Sequence, residues 1–230
     1  TTGGEERESD FHTDPLVDSG SATDQDYVGS GYDRGHLAPA ADMAWSERAM
    51  YESFYYSNMS PQLPGFNRGV WKRLETQVRS WAREEEAIWI VTGPVLKEGL
   101  PVIGPNKVSV PDYYYKVILD YSTPELKAIG FIIPNASSSA PLIEFTCTVD
   151  KVEGLTGIDF FEGLPDDQEE FLENHLTPES WNWNLISMPT KSSSSGEKST
   201  SVQCAGQTKS GSRCRNRTTD PSGYCHLHQH

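Results

Sequence analysis

An α+β fold with a central, mostly antiparallel sheet flanked by helices is what this sequence predicts, on three observations. Four runs, AIWIVTGPV, YYYKVILDY, AIGFIIPN and LIEFTCTVD, are alternating or wholly apolar, have strand length, and are bounded by Gly, Pro, Asn or Asp. From Arg68 to Arg83, the residues Val70, Trp71, Leu74, Val78 and Trp81 recur at spacings of three and four, the stripe of an amphipathic helix. Behind the last strand run, VDKVEGLTGIDFFEGLPDDQEEFLENH reads as a short helix, a turn and an acidic helix that closes the domain.

In chain order, residues 1–30 are polar and acidic and read as a loose lead-in ending in a strand near Asp26 to Val28. YDRGHLAPAADM, residues 32–43, reads as a sharp turn at the end of that strand. ADMAWSERAMYESF is helix-like, and FYYSNMSPQLPGFN is a loop punctuated by Pro61, Pro64 and Gly65. The amphipathic helix, the four strands and the closing helices follow. SMPTKSSSSGEKSTSVQ has the composition of a flexible linker. The predicted division is a domain over 1–188, a linker over 189–202 and a small cysteine-bearing module over 203–230. Cys147, inside a strand run, reads as a small buried side chain.

At 230 residues the chain is long enough for one sizeable core and an appendage. No apolar run reaches the roughly 18 residues of a membrane span, so no membrane partner is expected. TTGGEERESD lacks the basic-then-apolar order of a signal peptide, yet the sequence begins at Thr1 rather than Met. Export after removal of a signal and cytoplasmic residence both stay open.

The net charge of -14 is unfavourable for a phosphate-rich partner, but the charge is unevenly spread. Residues 34–83 hold seven basic residues against four acidic ones, and the tail from Lys191 holds six against two. Positive charge therefore gathers around the turn at 32–43 and again at the C-terminus. Decoration of a wet helix face is the plainer explanation for Arg68 to Arg83.

His36 has the chemistry of a general base. An imidazole of ordinary pKa, about 6.5, takes a proton from water near neutrality, and Gly35 and Pro39 would expose it. The alternative is a histidine satisfied by backbone hydrogen bonds at a turn. Asn67 stands where the loop enters the amphipathic helix, with Glu75 eight residues on. On a regular helix that separates them by about 80° of rotation and roughly 12 Å of rise, so both can face one groove. An amide oxygen and a carboxylate suit a hard cation such as Mg²⁺, although Asn67 would serve equally as an N-cap.

The combination of YDRGHLAPAADM, SNMSPQ, FNRGVWKRLE, VTGPV and LTGIDFF resembles the DNA/RNA non-specific endonucleases of the ββα-metal, His-Me finger class, over roughly residues 7–176. The resemblance implies a Mg²⁺- or Mn²⁺-dependent endonuclease acting on DNA and RNA with little sequence preference. It implies His36 as general base, Asn67 as direct Mg²⁺ ligand and Glu75 as outer-shell carboxylate. It further implies Arg34 on the phosphate, Asn58 as support for the histidine and metal, and an arginine of the lead-in, for which Arg7 is the candidate. A homodimer and a protein inhibitor are the partners it admits. The rival functions are a nucleic-acid- or partner-binding module without cleavage, and a phosphodiesterase acting on small nucleotides.

In CAGQTKSGSRCRNRTTDPSGYCHLH, three thiols and an imidazole, Cys204, Cys214, Cys225 and His228, could complete a tetrahedral structural Zn²⁺ site. So short a segment with so few large apolar residues needs a staple. A disulfide with one free thiol is the alternative, and His226 and His230 compete with His228. The segment also resembles small Cys3His modules appended to diverse bacterial proteins. Its Lys209, Arg213, Arg215 and Arg217 would add phosphate affinity, or the module would serve protein contacts.

Overall fold

The structure, a computed structural model, describes residues 5–85, 87–122 and 125–183, with 202, 203, 205, 207, 217 and 218 beyond them. The chain divides into two units, residues 1–185 and 186–230. In the second, Val202–Gln203 pairs antiparallel with Arg217–Thr218. Cys204, Cys214, Cys225 and His228, and with them the expected zinc site, lie outside the described residues.

Where a strand was expected near Asp26, the chain forms a short helix, α1 (Asp24–Tyr27), because Thr23 N and Oγ1 both donate to Asp26 Oδ2 in a capping box. Asp26 and Tyr27 are buried, so this end of the lead-in is anchored rather than loose. DRGH is likewise a strand, β1 (Asp33–His36), not a turn. The helix expected over 41–54 shrinks to a 3₁₀ turn, Ala40–Asp42, and α2 (Glu47–Glu52), which starts where Ser46 Oγ accepts from Ala49 N at 3.3 Å.

The expected loop over 54–67 contains β2 (Met59–Gln62), antiparallel to β1 with Asp33 opposite Gln62 and His36 opposite Met59. Pro61 looked like punctuation, but a two-stranded ribbon tolerates a residue that cannot donate. Its carbonyl accepts from Tyr114 Oη at 2.9 Å and Asn135 Nδ2 at 3.1 Å, which fastens the ribbon to the main sheet. Gly35 is where the strands come closest. A Cβ there would lie 2.1 Å from Gln62 Cδ, and Gln62 is fully buried.

The amphipathic helix starts earlier than expected, in a π-helical segment, Phe66–Trp71, kinked at Gly69, and continues as α3 (Lys72–Glu84). The rotation that a regular helix would give between Asn67 and Glu75 therefore does not apply. The stripe itself is as expected: Val70, Trp71, Leu74 and Trp81 are 0% exposed and Val78 is 3% exposed. Each such side chain contributes about 1.5–3 kcal/mol by leaving water.

The main sheet contains β3 (Trp89–Pro94); after a small hairpin of β4 (Val102–Ile103) and β5 (Val108–Ser109), absent from the expected set, come β6 (Tyr113–Asp120), β7 (Lys127–Pro134) and β8 (Thr146–Cys147). The order is β3-β6-β7-β8, antiparallel throughout. Of the fourth expected strand only Thr146–Cys147 pairs; Leu142–Phe145 is a 3₁₀ turn. Cys147 is buried, as expected, and burial pushes its thiol up to about 11. The closing helices are α4 (Val149–Thr156) and α5 (Asp166–Asn174).

Side chains alternate across β6, and both faces are covered. Tyr114 and Ile118 pack with the α3 stripe, while Tyr115, Val117 and Leu119 pack with Val149, Val152 and Leu172 of α4 and α5. Lys116 shares the face of Tyr114 and Ile118, so the alternation drives a cation under α3.

Candidate active site

His36 ends β1 with its ring between two aromatic side chains: Phe54 meets it edge-on at 4.7 Å and Phe11 lies 6.0 Å away. The ring is half-buried, not exposed as the sequence suggested, because Phe11 and Phe54 come from segments remote from the motif. Its Nε2 is enclosed and has no hydrogen-bond partner among the described residues. Burial, then the positive charge of Arg7, brings its pKa down to about 4. At neutral pH His36 is thus an uncharged imidazole.

Asn58 secures the chain that leaves β1. Its Oδ1 accepts from Ala38 N at 2.9 Å, and its Nδ2 donates to the carbonyls of Ala38 and Ser53 at 2.9 and 2.8 Å. With both polar atoms used on the backbone, Asn58 fixes the exit of β1 and has no donor left over. Leu37 N also donates to Asn58 O, 3.0 Å.

At the other end of β1, Asp33 receives Asn67 Nδ2 at 2.9 Å and Arg68 Nε and Nη2 at 2.8 and 2.5 Å. Because a carboxylate only accepts, the Asn67 amide must turn its NH₂ to Asp33 and its oxygen away. That presents Oδ1 as a neutral oxygen ligand. The wide π turn, held by Phe66 N and Asn67 N on Leu63 O at 2.9 Å each, sets the position.

Glu75, Asn58, Lys116 and Asp42 line one cleft of ≈ 450 Å³, together with Leu37, Ala38 and apolar groups of β3 and α3. Burial pushes the Glu75 carboxyl up to about 7, against the pull of Lys116, Arg79 and Arg7. Lys116 is 2% exposed; its ammonium bonds Thr92 Oγ1 and lies 5.0 Å from the Trp71 ring centroid. Burial lowers it to about 8, although Glu75 and Asp42 hold it up. Arg79 is paired with Asp42 at 3.0 Å. Lys116 and Arg79 were not singled out from sequence, yet a lone lysine inside YYYKVILD was a signal available to be read.

Arg34 is elsewhere. Its guanidinium bonds Asp24, which also accepts from Tyr56 Oη at 2.6 Å, and stacks 4.4 Å from the Phe11 ring centroid. The positive charge of 34–83 is likewise largely engaged: Arg48, Arg68 and Arg79 pair with carboxylates, and Arg73 donates to the carbonyls of Ser138 and Ala140. Arg7 is the exception among the arginines near the histidine. It is exposed, sits 5.4 Å from the Phe54 ring centroid, forms no ion pair among the described residues, and its charge reaches both His36 and Glu75.

The structure thus places a neutral imidazole, an amide oxygen and a carboxyl on the β1–β2 ribbon and the helix behind it. A family model described as DNA/RNA non-specific endonuclease matches residues 1–167. The chain belongs to this family. It is 37% identical to human mitochondrial endonuclease G over 178 residues, covering 70% of this chain and 59% of that protein. It is 39% identical to mouse mitochondrial nuclease EXOG, over 67% of this chain and 46% of that one, and 39% identical to nuclease C1 of Cunninghamella echinulata, over 68% of each. The chain therefore spans about half to six-tenths of those mitochondrial relatives. A crystal structure of the EndoG/EndoGI complex, which addresses the mechanism of EndoG inhibition, superposes with a TM-score of 0.64 at 34% identity, covering 69% of this chain and 71% of that one. The fold expected from sequence is the fold of this endonuclease family.

Proposed function

We propose that this chain is a Mg²⁺-dependent endonuclease that hydrolyses phosphodiester bonds of DNA and RNA with little sequence preference. The observation that carries the reading is His36, held uncharged beside an exposed Arg7 that forms no ion pair among the described residues. The neutral His36 ring takes a proton from water, and the water oxygen bonds to phosphorus as the bond to the 3′ oxygen breaks. The products carry a 5′ phosphate and, once the leaving oxygen has taken a proton from solvent, a 3′ hydroxyl. A pKa near 4 makes a weak base, but phosphate bound nearby raises it toward neutrality, so substrate itself strengthens the base.

Arg7 is assigned to the phosphate oxygens, the role the family resemblance gave to Arg34. In its present position Arg34 orders Asp24 and Tyr56 instead. Asn58 holds the backbone that carries His36. Asn67 Oδ1 would be the direct ligand of Mg²⁺ and Glu75 an outer-shell carboxylate; an amide oxygen oriented by Asp33 is a donor that such a hard cation accepts. When bound, the cation supplies positive charge against the charge that builds on the phosphate oxygens and the leaving group. None of these groups reads a base edge, hence the low sequence preference. Inhibition of EndoG in its complex with EndoGI supports a protein inhibitor as a partner proposal for this chain.

The test is a gel of plasmid DNA and of RNA with Mg²⁺, with EDTA, and with His36→Ala. Cleavage of both by the unaltered chain, blocked by EDTA and by the substitution, is expected. Intact substrate with the unaltered chain and Mg²⁺ would refute the proposal.

A further inference from the structure

On the sheet face opposite α3, α4 and α5 bring five carboxylates together. Ligand oxygens of Asp150, Glu153 and Glu173 lie within 4.8 Å of one another, and so do those of Asp159, Glu169 and Glu173. The loop between the helices is folded back by Phe160 N donating to Glu153 Oε1 at 2.9 Å, just past Gly157, whose positive φ of 69° ends α4. That turn sets Asp159 beside α5. Glu173, common to both triads, is 8% exposed, and its Oε1 is enclosed with no hydrogen-bond partner among the described residues. None of the five forms an ion pair among the described residues.

A carboxylate oxygen removed from water without donor or cation is costly, and four more carboxylates around it increase the cost. We propose that the α4–α5 cluster is a binding site for a divalent hard cation of the Ca²⁺ class, with Glu173, common to both triads, as its central ligand. Oxygens about 2.4 Å from one ion lie no more than about 4.8 Å apart, the span found within each triad. Ca²⁺ accepts six to eight oxygens in irregular geometry, whereas Mg²⁺ requires a near-ideal octahedron. With neither histidine nor cysteine in either triad, the donors do not favour zinc or copper. Burial, then the charge of Glu153 and a side-chain hydrogen bond with Glu153, pushes Glu173 up to about 7. Two of the five carboxylates, Glu169 and Glu173, lie beyond the residues matched by the family model. The ion would staple α4 to α5, whose Val149, Val152 and Leu172 cover that face of the sheet.

The full chain, stripped of metal, is titrated with CaCl₂ by calorimetry, alongside Glu173→Gln, Asp159→Asn and Asn67→Ala, and thermal unfolding is followed with and without Ca²⁺. The expected result is a binding event that persists in Asn67→Ala, disappears in Glu173→Gln and weakens at least about tenfold in Asp159→Asn. Ca²⁺ should raise the Tm of the unaltered chain and not that of Glu173→Gln. Should Glu173→Gln not fold, Asp159→Asn, altered at an exposed position, decides the matter by itself. Absence of binding to the unaltered chain, loss of all Ca²⁺ binding in Asn67→Ala, or unchanged affinity in Asp159→Asn would each overturn the proposal; a proton shared between Glu153 and Glu173 would then neutralise the cluster.

Discussion

The protonation of His36 is the most exposed consequence of the site geometry, and lowering the pH is the perturbation that probes it. Burial between Phe54 and Phe11, with the charge of Arg7 added, takes the imidazole from 6.5 to about 4. At about pH 5.5 such a ring is roughly 97% neutral, whereas a histidine of ordinary pKa is roughly 9% neutral. As pH falls, the unfolded chain takes up this proton near 6.5 and the folded chain only near 4. Stability is therefore lost as pH falls across that interval, by up to about 3 kcal/mol. Glu75 acts with the opposite sign: its raised pKa keeps a proton in the folded state, so its contribution is lost as pH rises from 4.5 to about 7. Comparison with His36→Ala isolates the histidine. In the metal-free chain, ¹H–¹³C NMR of the ring should give a midpoint near 4, and urea unfolding should weaken below about pH 6.5 more in the unaltered chain than in His36→Ala. A ring midpoint at about 6 or above would refute the reasoning.

Gly35→Ala should destabilise the fold by about 1–3 kcal/mol in urea unfolding, because the added methyl falls 2.1 Å from Gln62 Cδ and Gln62 has nowhere to go; a change near zero would contradict that packing. Lys116→Met removes a charge that holds the Glu75 carboxyl down, so Glu75 followed by ¹³C NMR in the metal-free protein should titrate higher than in the unaltered chain, and a lower midpoint would count against the pairing. For the tail, the Cys204, Cys214, Cys225 and His228 set is expected to give one equivalent of zinc by elemental analysis, lost in Cys214→Ser; a zinc-free protein with a disulfide by mass spectrometry would favour the alternative.

Some of the fold was legible because periodicity reports burial directly. Val70, Trp71, Leu74, Val78 and Trp81 announced the helix, and YYYKVILD and AIGFIIP announced strands buried on both faces. β2 was not legible, since Pro61 and Gln62 resemble loop residues and their burial depends on Tyr114 from the distant β6. The motif named His36, Asn67 and Glu75 as candidates, but not their surroundings. Phe11 and Phe54 lower the histidine, Asp33 orients Asn67, and Lys116 meets Glu75 only because β6 lies beneath α3. Glu173 shows the same limit, for an acidic helix reads as a solvated face until the packing encloses one of its carboxylates.

The most direct measurement is the rate of plasmid nicking by His36→Ala in saturating Mg²⁺, with and without added imidazole. Loss of about 10²–10⁴-fold in rate, partly restored by imidazole in its neutral form, is the predicted result. Nicking by His36→Ala at the rate of the unaltered chain would contradict the assignment of His36 as the base.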